Sequence, residues 1–126
     1  MNSKKSFAIV VGGGPAPGIN GVIAAATIEA VNRGYRVLGI QGGFKRLMGG
    51  DESCLRELRI EDVSSHASEG GSVLGISRSH PTKDPKNMET VLTALRRQNV
   101  GYLVTIGGDG TATTSGAIAK ITAGEI

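Results

Sequence analysis

Aromatic side chains are scarce in this sequence: two tyrosines, two phenylalanines and no tryptophan. Proteins that grip single-stranded nucleic acid stack the bases on aromatic rings, and that platform is missing here. The formal charge of +3 is modest, and its lysines and arginines are scattered rather than clustered. That pattern argues against nucleic acid and suits a solvated surface or a preference for small anions. Cysteine is nearly absent as well. Cys54 is the only one, so no disulfide can close within the chain, which fits a reducing, cytoplasmic setting. It lies beside Leu55 in a predicted strand, with no partner in the sequence to activate its thiol. Long apolar runs are also lacking. Nothing approaches the roughly 20 residues that a membrane-spanning helix needs. The opening MNSKKSFAIVVGGG offers five apolar residues before its glycines, too few for a signal-peptide core. Repeats, linkers and low-complexity tracts are missing too, so residues 1–126 read as one domain.

What the chain has in excess is glycine. There are 20 in 126 residues, more than twice the usual ~7%. They fall in pairs and triplets, at 12–14, 42–43, 49–50, 70–71 and 107–108, mostly where a predicted strand ends. Backbone turns that approach a ligand closely need that placement, because a Cβ would hold the ligand away.

Between the glycines, strand patterns alternate with helix patterns. Ser6 to Val11 predicts a buried parallel strand. Asn20 to Asn32 predicts a helix stopped by Gly34. Tyr35 to Ile40 predicts a second strand, and residues 54–60, alternating apolar and polar, an edge strand. IEDVSSHASEGG suggests a short helix ended by glycines. Lys86 to Gln98 predicts the clearest amphipathic helix, with Met88, Val91, Leu92 and Leu95 on one face. Tyr102 to Ile106 predicts a third, central strand, and Thr111 to Lys120 a final helix. The expected fold is α/β: three layers around a mainly parallel sheet with right-handed βαβ crossovers. Ligands of such sheets sit beyond the carboxyl ends of the strands, where glycines 12–14 and 107–110 are expected.

Three stretches could carry chemistry. In VVGGGPAPGIN, glycines after a strand and before a helix could bring N–H groups and a helix dipole to an anion. It is not a Walker A loop, and Pro15 and Pro17 remove two N–H groups; a tight turn without a ligand remains the other reading. In GGDGT, Gly107, Gly108 and Gly110 could fold around phosphate, yet Asp109 adds a like charge. Mg²⁺ between the two removes that conflict, since it prefers one or two carboxylates plus phosphate oxygens. Thr111 could donate a hydroxyl or cap the helix, and Asp109 could be no more than a turn or N-cap residue. In GGSVLGISRSHPTKDP, Arg78 and Lys83 suit phosphate contact but equally a solvated loop. His66 and His80 read as ordinary, with no carboxylate or cysteine at ligand spacing.

Taken in order and spacing, GGGPAPGIN, YRVLGIQGGFKRL, GGSVLGISR and TIGGDGT resemble the 6-phosphofructokinase family. A similar GGDGT turn occurs in NAD kinases and diacylglycerol-type lipid kinases, but PAPGIN and the GGSVLGISR loop set this chain apart from them. The resemblance implies phosphoryl transfer to the 1-hydroxyl of fructose 6-phosphate. It implies that Gly14 meets the donor's phosphates through its N–H, and that Arg78 bridges the phosphate in transfer as a catalytic residue. Ser79 and Lys83 would lie near the donor. Gly108, Asp109, Gly110 and Thr111 would form the main phosphate turn, with Asp109 holding Mg²⁺. Glycine at position 110 implies ATP, where an aspartate would block the nucleotide and imply pyrophosphate, so ATP is the expected donor and pyrophosphate the alternative. The flanking loops, and Pro15 where short bacterial ATP enzymes have aspartate, look more like the pyrophosphate branch. Ala24 and Ile28 stand where those short enzymes place effector-binding arginines, so that allosteric site is not expected. The family is typically a dimer or tetramer. Its catalytic base, an aspartate in a T-x-D segment, and its acceptor lobe would follow Ile126. The expectation is therefore an N-terminal donor-binding portion, inactive alone, or a non-catalytic nucleotide-binding fragment.

Overall fold

A computed structural model describes residues 5–12, 18–69, 72–77 and 79–126. Gly14 and Arg78, assigned above from the family resemblance, lie outside the described residues, as do Pro15 and Pro17.

Strand β1 (Ser6–Val11) is an apolar run whose side chains divide between two cores. Ala8 and Val10 enter one with Leu38, Phe44, Met88, Leu95 and Ile118. Ile9 and Val11 enter the other with Ile19, Ile23, Leu58 and Val63. A strand buried on both faces must be covered on both, which is the three-layer α/β arrangement. Helices α1 (Ile19–Asn32) and α3 (Ile60–Ser64) cover one face. Helices α2 (Lys45–Met48), α4 (Pro85–Arg97) and α5 (Asp109–Ile121) cover the other. Burying each large aliphatic or aromatic side chain of these cores stabilises the fold by ~1.5–3 kcal/mol.

The sheet runs β3-β2-β1-β4, with β2 at Val37–Ile40, β3 at Leu55–Glu57 and β4 at Val100–Ile106. β1 is parallel to both β2 and β4, and β3 is antiparallel to β2. The mainly parallel sheet is as expected, and within the predicted 54–60 segment only Leu55–Glu57 forms the edge strand, since Ile60 already begins α3. Several bounds differ. β2 is shorter, because Tyr35 belongs to the turn after α1, its N–H donating to Ala30 O at 2.9 Å. β4 lies at the sheet's edge among the described residues rather than at its centre, and it begins at Val100. Helix α4 begins one residue earlier, since Pro85 is well suited to the first helical position. Helix α2 was not anticipated from the sequence; its four residues are too short for a periodic signal.

Three of the four aromatic rings gather at the amino end of the sheet. Phe7 stacks on Tyr102 at 4.6 Å and meets Tyr35 edge-on at 5.0 Å. The carboxyl end is built from glycines instead.

Candidate functional site

The chain leaves β1 for α1 on one face of the sheet and leaves β4 for α5 on the other. Adjacent parallel strands whose following helices diverge leave a crevice at their carboxyl ends, the usual ligand position in such sheets. Here the Gly12 N–H donates to Ile106 O at 2.8 Å, tying the two strand ends together. A Cβ at Gly12 or Gly107 would overlap the Thr111 hydroxyl, so these two glycines make room for that side chain. Thr111 is buried, and its Oγ1 finds no hydrogen-bond partner among the described residues. It sits inside the first turn of α5 rather than capping it.

The helix starts earlier than its apolar pattern suggests. Gly108 is the N-cap, and Asp109 is the first helical residue, not the cap. Gly108 is extended (φ −94, ψ −153) and offers no side-chain cap. The first helical hydrogen bond is from Ala112 N to Gly108 O at 3.0 Å. The N–H groups of Asp109, Gly110 and Thr111 are thus left without a helical acceptor, and residues 107–110 are exposed. Open N–H groups at the positive end of a helix dipole suit an anion. The Asp109 carboxylate is exposed and has no hydrogen bond or ion pair among the described residues. One free carboxylate beside a phosphate turn fits Mg²⁺, which completes its shell with phosphate oxygens and water. No cluster of three or more His, Cys, Asp or Glu gathers among the described residues, so a metal site made of protein groups alone is not present there.

Beside this turn runs the loop that precedes α4. Ser79 is half-buried, its N–H donating to Ser77 Oγ at 3.1 Å. With Ser77, Gly42, Lys45 and Arg46 it lines an open groove of about 690 Å³. Arg46 is held by Asp51 at 2.8 Å. Lys83 is exposed in the Pro81–Lys83 turn, which packs against α4 and α5. A second groove, of about 460 Å³, lies between α4 and α5 and is lined by Met88, Leu92, Ala117 and Ile121. Its apolar walls do not suit a polyphosphate.

Two histidine readings change. His66 is not isolated, because Glu69 on the next turn pairs with its Nδ1 on the surface. His80 is not ordinary: its Nδ1 meets Thr114 Oγ1 at 3.2 Å, and its Nε2 lies 2.6 Å from where a Cβ at Gly110 would stand. Motif reading passed over His80 because its neighbour lies thirty positions away. The one local signal is Pro81, which biases the preceding residue toward the extended backbone that His80 adopts. Cys54 is buried, donates its Sγ–H to Asp51 O at 3.2 Å, and has its thiol pushed up by burial, which agrees with a structural role.

Residues 6–124 match the family described as Phosphofructokinase. The chain is 52% identical over 121 residues to the pyrophosphate–fructose 6-phosphate 1-phosphotransferase of Naegleria fowleri, covering 96% of this chain and 28% of that protein. It is 34% identical to ATP-dependent 6-phosphofructokinase 2 of Bacteroides thetaiotaomicron, over 90% of this chain and 34% of that one. The phosphofructokinase of Pichia pastoris, solved in its T-state, superposes with a TM-score of 0.86 at 29% identity, over 95% of this chain and 13% of that one. The chain thus spans about a third or less of the length of these relatives.

Proposed function

Because the chain belongs to the phosphofructokinase family, we propose that its full-length protein transfers a phosphoryl group to the 1-hydroxyl of fructose 6-phosphate, with these residues forming the donor half of the site. The observation that carries the reading is the bare start of α5, where three backbone N–H groups lack a helical acceptor and one exposed carboxylate has no partner among the described residues, at the sheet's switch point. The N–H groups of Asp109, Gly110 and Thr111 would receive the donor's phosphate oxygens. Asp109 would hold Mg²⁺, which when bound neutralises charge on the oxygens of the phosphoryl group in transfer. Ser79 and Lys83 would flank the donor, and Gly14 and Arg78 would complete its contacts. A cytoplasmic enzyme, dimeric or tetrameric, is the setting this reading supposes.

The donor has two readings, each with its own support. Gly110 leaves the turn without a second carboxylate, which favours ATP. Against that stands the 52% identity to a pyrophosphate enzyme, compared with 34% to an ATP enzyme. The second comparison draws on the whole chain and the first on one residue, so pyrophosphate is the donor we favour. The test is a paired assay of the full-length protein with fructose 6-phosphate and Mg²⁺, giving pyrophosphate in one series and ATP in the other. Turnover with pyrophosphate supports the favoured reading, and turnover with ATP alone supports the Gly110 argument. Absence of turnover with both sinks the phosphofructokinase reading.

A further inference from the structure

The space above Gly110 is already filled by a side chain from another part of the chain. Thr114, fully buried one turn on in α5, donates its hydroxyl to Gly110 O at 3.0 Å. Its single proton is thereby used, so at its 3.2 Å contact it accepts from the Nδ1–H of His80. That fixes the ring at one end, and Pro81, buried in the turn after it, fixes the backbone. The remaining nitrogen, Nε2, then faces Gly110, so near that a side chain starting there would collide with it. A half-buried imidazole held at two points is a wall. It closes one flank of the turn whose free N–H groups face the donor.

We propose that His80 is a specificity-determining residue of the donor site, closing the flank over Gly110 against any donor that carries bulk beyond a diphosphate. Pyrophosphate needs only the N–H groups and the metal held by Asp109. A nucleoside triphosphate must also pass its nucleoside out of the same crevice, and the ring narrows the way. Glycine at 110 therefore does not by itself admit ATP, because the room a side chain would occupy is taken from the opposite side. This inference rests on the donor-site reading above and deepens it.

The test compares the full-length protein with His80→Ala, Thr114→Val and Thr114→Ser, measuring kcat/KM with pyrophosphate and with ATP. The expected wild type strongly prefers pyrophosphate. In His80→Ala the ratio of ATP to pyrophosphate kcat/KM rises roughly tenfold or more, the scale on which removing a steric block changes discrimination. Thr114→Val, which frees the ring, moves the ratio the same way by less, and Thr114→Ser, which keeps the hydroxyl, leaves it near wild type. A general loss of packing would lower both donors together and leave the ratio in place. An unchanged ratio in His80→Ala overturns the inference while leaving the donor site standing. So does a wild type that uses ATP as well as pyrophosphate. A wild type that uses neither removes the donor-site reading, and this inference goes with it.

Discussion

The helices of this protein begin in two different ways. At α4, the Asp84 carboxylate accepts from Lys86 N at 2.9 Å, and Pro85 follows at the first helical position. At α3, the Asp62 carboxylate reaches back to Arg59 N at 2.8 Å. Both starts satisfy their own backbone donors. At α1 and α5 the N-cap is glycine, Gly18 in the left-handed region (φ 87) and Gly108 extended, and no side chain caps either. Glycine in place of a capping side chain costs about a few tenths of a kcal/mol. Helix α2, with Phe44 at its N-cap, has no side-chain cap either, and all three uncapped helices begin beyond the carboxyl ends of the parallel strands β1, β2 and β4. Asp109 sharpens the point: a carboxylate stands in the first turn of α5 and still does not cap it. Satisfied donors hold a helix in place, and unsatisfied donors leave a place for a ligand.

The largest expected effect tests whether that carboxylate works on a metal rather than on the helix. Asp109→Asn keeps the shape and removes the charge, so kcat of the full-length protein should fall roughly 10²–10³-fold, the several kcal/mol a metal supplies. The thermal midpoint should hardly move, and an unaffected kcat would break the comparison.

Gly12→Ala should come next. Its Cβ overlaps the buried Thr111 hydroxyl, and such overpacking costs about 1–3 kcal/mol. A shift of the urea midpoint reads it, and adding Thr111→Ala should recover part of the loss. Equal damage in both backgrounds would show that the wedge between Gly12 and Gly107 is not the cause.

Gly108→Asp gives α5 the kind of cap that α4 has. The backbone there is extended and nothing lies within 4 Å of the added Cβ, so the change is sterically free. Stability should rise by a few tenths of a kcal/mol. Donor affinity, read by calorimetry, should fall roughly tenfold as the new carboxylate takes an N–H and repels phosphate. Unimpaired binding would mean that the open N–H groups are not what holds the donor.

The smallest effect is the mirror experiment. Asp84→Ala strips the cap from α4 and should cost about 1 kcal/mol of stability by urea titration. The KM for donor should stay where it is, because that helix start serves only itself.

Much of this was legible before any fold was known. The apolar runs at Ser6–Val11 and Tyr102–Ile106 pointed to strands, and the Met88, Val91, Leu92, Leu95 spacing pointed to one helix face. The glycines marked the turns, and Asp109 after two of them marked the candidate metal ligand. Helix α2 escaped, since its four residues carry too few positions for a period to show, and the edge strand β3 proved shorter than its alternating pattern. The start of α5 was misplaced because glycine and aspartate read as turn residues, although a helix tolerates both in its first turn. The identification of Gly14 and Arg78 rests on motif alone.

Local chemistry, then, is what the sequence determined by itself: which segments are strands or helices, where the backbone turns, and which turn carries the lone carboxylate. Those depend on neighbours a few residues apart. Only the tertiary structure decided that Thr111 wedges against Gly12, ninety-nine positions away, and that His80 stands over Gly110. Such contacts follow from how β1, β4 and their helices pack. The sheet order that brings them together is set by the burial of two cores at once, which no single stretch of sequence encodes.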